Sequence, residues 1–334
     1  MKPLISICIP TYNRAEVLHK SIESYVGSDD FDDEVEIVIS DNASTDNTKE
    51  VGEYFSSIYK NIKYFRNKEN VRDDNFPLSL DRATGEYLKL MKDNIIIAQN
   101  GLRYLKETVK ANIIARDSLF FTNGFLFNST KERVYTCQDF NDFLLHVSYG
   151  VTAITFFGCW REQWTKVKCR NRYSKLQLAQ DDWVYQLVSD SCKSNLYTKK
   201  YFSTEEVGMR SGYNWYEVHV DNYYKILQPY VERGLVSNTI LTKEKKTYLN
   251  GLKLPLAHTY LWRIIPSWKF DMSGATNILR NNFGKIPYFY WLMMTMPLWG
   301  IWESFNYWGK IMLIKIGLRD IINRFRVDYK LKQE

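Results

Sequence analysis

The stretch LISICIPTYNR, residues 4–14, starts as a β-branched apolar run and turns polar immediately after Pro10. A run of that kind, closed by proline, reads as a buried strand. Its downstream neighbours repeat the pattern. Ala15 to Val26 carries Val17, Leu18, Ile22 and Tyr25 at helical spacing, and VEIVIS (35–40) is a second strand stopped by Asp41 and Asn42. ASTDNT (43–48) is rich in helix-capping residues and opens a helix through Val51, Tyr54, Phe55 and Ile58. IKYF (62–65) is a third strand, DNFPLSLDRATG (74–85) a helix closed by Gly85, and EYLKLM (86–91) a fourth strand. Strands alternating with helices predict an α/β fold, a Rossmann-like and mostly parallel sheet with helices on both faces.

From residue 100 to about 210 the alternation loosens. SLFFTNGFLF (118–127) and VTAITFFG (151–158) read as buried strands, and QDDWVYQLVSD (180–190) as a helix with Asp181 and Asp182 in its first turn. The longer connections suit a partly antiparallel second half. These readings place a catalytic-type domain over 1–212 and a helical, aromatic-rich C-terminal region over 213–334.

In the C-terminal region IPYFYWLMMTMPLWGIW (286–302) carries no charge over 17 residues, yet Pro287 and Pro297 argue against a spanning helix. An amphipathic stretch comes next, with Tyr307, Ile311, Ile314, Leu318, Ile321 and Phe325 opposite Lys310, Arg319 and Arg324. Residues 284–327 therefore read as a membrane-interface segment. An aromatic hairpin packed on the protein's own core, or a contact with a second copy in a homo-oligomer, is the alternative use of the same surface.

The bulk numbers agree with an ordinary globular protein. Of 334 residues, 45% are hydrophobic and 25% charged, and the formal net charge is +7. That mild excess suits phosphate-bearing substrates or an anionic membrane surface, and no nucleic-acid motif accompanies it. The five cysteines are scattered without metal-site spacing, which fits a reducing compartment, and the N-terminus lacks a signal-peptide pattern. The expected location is the cytoplasmic face of the inner membrane, held peripherally.

In an open α/β sheet, ligands bind outside the carboxyl ends of the strands. Four polar segments converge there: PTYNR, SDNASTDN, FRNKENVRDDN and KDN, the last being Lys92-Asp93-Asn94 between two apolar runs. A carboxylate at such a place calls for a partner.

The order and spacing of ISICIPTYNR, IVISDNASTDNT and ATGEYLKLMKDN resemble family 2 glycosyltransferases of the GT-A type, closely over residues 3–100 and loosely over 150–200. The resemblance implies a nucleotide-diphosphate sugar as donor and transfer to an acceptor hydroxyl with inversion. It implies that Pro10, Thr11, Tyr12 and Arg14 line the nucleotide floor and that Asp41 accepts a hydrogen bond from the base. The family's strand four ends in a carboxylate pair that holds Mg2+ or Mn2+; here Asp93 and Asn94 would be the ligands, with Lys92 offsetting phosphate charge. Asn70, Asn75, Arg66 and Arg72 would stand by the sugar or diphosphate. The family's general base corresponds to Asp182 in one alignment of QDDW and to Asp181 in the other, with Trp160, Trp164 and Trp183 as stacking or core residues. Joined to the aromatic C-terminus, the resemblance implies a lipid-linked saccharide acceptor in assembly of a bacterial surface polysaccharide, O-antigen or capsule. A catalytically degenerate sugar-nucleotide-binding partner subunit is the rival reading, favoured by the thinned Lys92-Asp93-Asn94.

Overall fold

The computed structural model describes residues 2–124, 132–191, 193–205, 213–256 and 271–316. Contacts divide the chain into two units. One comprises residues 1–208 and 222–237, the other residues 209–221 and 238–334.

The first unit follows the alternation expected from its sequence. Strand β1 (Ile5–Thr11) leads to α1 (Ala15–Val26), β2 (Val35–Asp41) to α2 (Thr48–Ile58), and β3 (Ile62–Arg66) to α3 (Asn75–Asp81). β4 (Tyr87–Leu90) and β5 (Ile95–Ile97) precede α4 (Gly101–Ala111). β6 (Ser118–Phe121), β7 (Val134–Cys137), α5 (Phe140–Val147), β8 (Gly158–Trp160), α6 (Arg161–Lys166), α7 (Ala179–Asp190), β9 (Ser194–Tyr197) and β10 (Phe202–Thr204) complete the second half. Helix α8 (Tyr223–Glu232) then returns to this unit.

The main sheet has the order β3-β2-β1-β4-β8, parallel except for β8 against β4. One face packs on a single core through Ile5, Ile7, Ile9, Val35, Ile37 and Ile39, and the alternate positions, also buried, carry Cys8 and Val38 together with Ser6 and Glu36. Register sets the site. Ile5 pairs with Val35 and the ladder runs in step to Thr11 beside Asp41, while Cys8 lies beside Leu90. Thr11 therefore stands level with Asp41 on one side and with the chain just past β4 on the other.

Three local expectations need correction. Gly85 does not close a helix; α3 ends at Asp81, and a Cβ at Gly85 would lie 2.6 Å from the Ser6 hydroxyl and 2.9 Å from its amide nitrogen. The glycine is there because strand β1 passes that close. Of residues 151–158 only Gly158, the first residue of β8, is strand; the rest follow two 3-10 turns, Ser148–Thr152 and Ile154–Phe156. A continuous apolar run does not separate a buried strand from a buried coil. Here the coil leaves the Thr155 and Phe157 carbonyls free to accept from the ammonium of Lys89, a residue fully buried in β4. Burial pushes that ammonium down to about 7. Finally, only Ser118–Phe121 of the 118–127 run is strand, and residues 125–127 lie outside the described part.

The second unit contains α9 (Asn238–Pro255), α10 (Ala275–Phe283) and α11 (Pro287–Lys315). Its core gathers Tyr248 and Phe289 around Phe283, with Leu279, Leu292 and Met296 also buried. Helix α11 runs through Pro297, so the proline expected to bound the apolar run lies inside it. Among the described residues no helix is long and apolar enough to cross a membrane. Yet α11 exposes a large apolar surface: Met294, Leu298, Trp302, Phe305, Trp308 and Met312 are each between 62% and 74% accessible. Past Gly300 every side chain the structure describes on this helix is exposed. Residues Leu318, Arg319, Ile321, Arg324 and Phe325, and the side chains of Tyr307, Lys310, Ile311 and Ile314, lie outside the described part.

Candidate active site

The carboxyl ends of β1, β2, β3 and β4 form a crevice whose loops are tied to each other. In the loop after β1, the Asn13 amide donates to Ser44 Oγ at 2.9 Å and its side-chain carbonyl accepts from the Thr45 amide at 2.7 Å. The Arg14 amide reaches Thr48 Oγ1 at 3.1 Å, and the Ala15 amide reaches Asp46 Oδ2 at 3.1 Å. The first turn of α1 is thus capped by the neighbouring loop rather than by its own residues. Asn13, Ala43 and Arg72, one in each loop after β1, β2 and β3, have positive φ of 53°, 60° and 53°. Asparagine tolerates that region; Ala43 and Arg72 hold it at a steric cost that only the surrounding bonds offset.

Thr11, Arg14 and Asp93 meet. The Thr11 hydroxyl donates to Asp93 Oδ2 at 3.0 Å, and Arg14 Nη1 lies 3.3 Å from Asp93 Oδ1. Asp93 is 7% exposed and Arg14 keeps a quarter of its side chain open. The carboxylate between two apolar runs is therefore paired, by residues 79 and 82 positions away. Lys92 stands beside this pair; desolvation holds its ammonium below the usual lysine range, with Asp93 opposing and Arg14 adding to the shift. Asn94 does two things. Its main chain and side-chain amide both bond residue Glu205, extending the antiparallel β5–β10 pairing. Its side-chain oxygen is buried with no hydrogen-bond partner. Asp93 and that oxygen are hard donors of the kind Mg2+ or Mn2+ takes, with the remaining positions left to phosphate and water.

Asp41 is fully buried. Oδ1 accepts from the Ser44 amide at 2.9 Å, and Oδ2 accepts from the Tyr64 hydroxyl at 2.7 Å, with Arg66 Nε at 3.6 Å. It is the anchor of its loop. Burial, then the bond to Asp41, pushes the Tyr64 phenol well up, so Tyr64 remains a donor. Asn70 and Arg72 lie on the same rim: Asn42 Nδ2 donates to Asn70 Oδ1 at 2.8 Å and to the Arg72 carbonyl at 3.1 Å. Asn75 is buried behind them, exchanging bonds with Ser40 and Asn67. Pro10, near the end of β1, and Tyr12, just past it, are half-buried. Sequence reasoning missed Tyr64 and Arg82, whose guanidinium bonds Ser40 Oγ and Asn67 Oδ1 at 2.6 Å each. A tyrosine in a strand and an arginine at a helix end carry no motif.

The two adjacent acids on α7 are unlike one another. Asp182 receives Arg172 and the Tyr230 hydroxyl (2.8 Å) on Oδ1 and Gln186 Nε2 (2.9 Å) on Oδ2. A carboxylate offers about four acceptor positions, so one remains, on Oδ2. Asp181 is fully buried, and neither oxygen has a hydrogen-bond partner. Burial first, and the neighbouring Asp182 charge second, push its carboxyl well above the usual aspartate range, which favours the protonated form and makes it a poor proton acceptor. The 3-10 turns link α7 to the strand that leads into Asp93: Lys89 of β4 holds the Thr155 and Phe157 carbonyls, and Gln180 of α7 holds the Thr152 carbonyl at 3.2 Å. Trp160, Trp164 and Trp183 are buried, with Trp164 and Trp183 edge to face at 5.1 Å, which makes them core residues rather than open stacking faces.

Comparison with known proteins agrees with this geometry. Residues 6–116 match the family described as glycosyl transferase family 2. The chain is 40% identical over 105 residues to abequosyltransferase RfbV of Salmonella typhimurium. It is 35% identical over 112 residues to the GalNAc(5)-diNAcBac-PP-undecaprenol beta-1,3-glucosyltransferase of Campylobacter jejuni. These alignments take in 31% and 33% of this chain and 32% and 35% of the relatives, about a third in every case. Among solved structures it is similar to S. aureus TarS 1-349 in complex with UDP-GlcNAc, with a TM-score of 0.58 at 16% identity over 95% of this chain and 92% of that one. It is also similar to mannosyltransferase PcManGT from Pyrobaculum calidifontis in complex with GDP-Man and Mn2+, with a TM-score of 0.50 at 14% identity over 91% and 88%. At such identities the likeness is one of fold, and it bears out the GT-A architecture expected from the N-terminal motifs.

Proposed function

We propose, from the match of residues 6–116 to glycosyl transferase family 2, that the protein moves a sugar from a nucleotide diphosphate to a saccharide acceptor, with inversion, in assembly of a bacterial surface polysaccharide. The observation that carries the reading is the Thr11–Arg14–Asp93 cluster at the carboxyl ends of β1 and β4, where an open sheet binds its ligand. Pro10 and Tyr12 form the floor for the nucleotide. Asp41 acts through the loop it shapes, since its own carboxylate is buried and bonded. Asn70 and Arg72 lie at the diphosphate end, where Lys92 and Arg14 meet its negative charge.

Asp93, with the unpartnered oxygen of Asn94, would hold a divalent cation, Mg2+ or Mn2+, that neutralises charge on the departing diphosphate. Asp182 is the base. Its free Oδ2 position accepts the hydrogen of the acceptor hydroxyl; the oxygen bonds to the anomeric carbon as the bond to the diphosphate breaks, and the diphosphate leaves with the electron pair. Asp181, enclosed and a poor proton acceptor, does not take that part. The acceptor is lipid-linked, and α11 with the residues after it holds the protein on the cytoplasmic face of the membrane. Two features support this: the exposed aromatic surface of α11, and a relative whose name specifies a PP-undecaprenol substrate. The same surface serves a second copy if the protein is a homo-oligomer. A degenerate, non-catalytic partner is the weaker reading, because a base with an open acceptor position is retained.

Calorimetric titration with UDP, GDP, dTDP and CMP, with and without Mn2+, tests the proposal. Tight binding of one diphosphate, lost in Asp93→Ala, is expected. Absence of binding to all four, in folded protein, would refute it.

A further inference from the structure

Asp182 is held from three directions, and one of them comes from far along the chain. Tyr230 lies on α8, beyond the residues that leave the first unit and return to it. Its hydroxyl donates to Asp182 Oδ1 at 2.8 Å and approaches the Asp182 carbonyl at 3.2 Å. The ring that carries this hydroxyl is fixed. Tyr230 is 1% exposed, stacks on Phe140 at 5.5 Å, meets Tyr185 edge to face at 5.3 Å, and has the Arg233 guanidinium 4.5 Å over its face. Arg172 approaches the same oxygen from the loop before α7. That loop is clamped in turn, because Gln186 exchanges two hydrogen bonds with the Lys168 main chain, at 2.9 and 3.0 Å, while donating to Asp182 Oδ2. Apart from its neighbour Asp181, the charged and titratable groups facing Asp182 are Arg172, Tyr173 and Tyr230.

We propose that Tyr230 and Arg172 are positioning residues for the transfer: both occupy Oδ1 of an aspartate only 2% exposed, which fixes the Asp182 rotamer and leaves its one remaining acceptor position on Oδ2. The proposal rests on the reading of Asp182 as base. Neither residue touches substrate. Each acts by removing alternatives, since a carboxylate held only by Gln186 would rotate and offer its oxygens in several directions.

The test has two arms, so that the clamp and the base can fail separately. In the first, the full-length protein is labelled at the aspartate carboxyl carbon, and the Asp182 signal, assigned by its loss in Asp182→Asn, is followed by NMR. Tyr230→Phe keeps the ring and its packing while removing the hydroxyl, and Arg172→Gln removes the charge. With one donor to Oδ1 gone the carboxylate reorients, so in each variant the Asp182 carbon signal shifts and broadens while the other aspartate signals stay in place. An unchanged Asp182 signal in both variants overturns the proposal, and a loss of structure alone would not change one carboxyl selectively. In the second arm, release of nucleoside diphosphate from UDP-GlcNAc, UDP-glucose and GDP-mannose is followed with water as acceptor. For whichever sugar nucleotide is cleaved, Tyr230→Phe lowers kcat about tenfold with donor KM within about twofold, since a positioning loss of one hydrogen bond falls on the chemical step. Equal changes in kcat and in folded fraction would overturn it. Full activity in Asp182→Asn would instead remove the base reading, leaving the change in the carboxyl signal to report the clamp alone.

Discussion

Replacing Asp181 with asparagine should stabilise the protein progressively, relative to wild type, as pH rises from mild acid toward neutrality. The carboxyl is fully buried, neither oxygen finds a donor, and both burial and Asp182 push it far above the usual aspartate range. In the unfolded chain the same carboxyl ionises near pH 3.9. Where the folded state retains a proton that the unfolded state has released, stability falls as pH rises. The stability this group allows is therefore complete below the unfolded value and is lost on the way to neutrality. The loss is about 1.4 kcal/mol per pH unit for as long as the folded carboxyl remains protonated. Each pH unit of that window is a sizeable part of an ordinary total stability of about 5–15 kcal/mol. Asparagine has a similar shape and no proton to lose, so the gap between variant and wild type opens with pH at that slope. Urea unfolding followed by the fluorescence of the buried Trp160, Trp164 and Trp183, at several pH values, measures the slope directly. The offset at any one pH is uninformative, because an amide without partners has its own cost. Parallel stability curves for the two proteins would mean that Asp181 is ionised in the fold, and the assignment of its role would fall.

Asp93→Ala should weaken nucleoside diphosphate binding by at least tenfold in the same titration and make what binding remains insensitive to Mn2+, while releasing Arg14 from its partner. Unchanged affinity would place the diphosphate elsewhere. Lys89→Met tests the buried ammonium: the folded group sits at about 7 and the unfolded one near 10.4, so wild-type stability gains on the variant as pH rises from about 7 to 10 and the gap is flat below that window. Urea midpoints at three pH values across this range would show it, and a gap that narrows with pH would contradict it. Replacing Trp302 and Phe305 together with serine should lower binding to vesicles of mixed neutral and anionic lipid by tenfold or more, at about 1.5–3 kcal/mol for each large apolar side chain withdrawn. Retained sedimentation with vesicles would turn α11 toward a protein partner.

The first half of the fold was legible because its signals are local. Strands buried on both faces read as largely apolar runs, and the caps and turns between them fall where Asp, Asn, Ser and Thr cluster. The Thr11–Arg14–Asp93 cluster was legible as three residues in motifs, though not as a set of bonds, since only register brings them level. The proposed base was undecidable in sequence between Asp181 and Asp182 because both occupy one helical turn. Their environments separate them, and those are set by Arg172, Gln186 and Tyr230, two of which no motif marks. Residues 151–158 misled for a plainer reason: nothing in an apolar octapeptide announces that a lysine on another strand requires two of its carbonyls.

The return of α8 to the first unit bears on the order in which the protein is made. Everything that forms the sheet has been synthesised by Thr204, but the hydroxyl that steadies Asp182 belongs to Tyr230. At about 5–20 residues per second, translation leaves a delay of roughly one to five seconds between the two. During that interval the nascent sheet is already able to meet a nucleotide while its acid on α7 is still unsteadied. On the proposed reading of Asp182, full competence for transfer thus arrives as a late step of biosynthesis, after the chain has passed through residues of the other unit, and a polypeptide released early would bind better than it transfers.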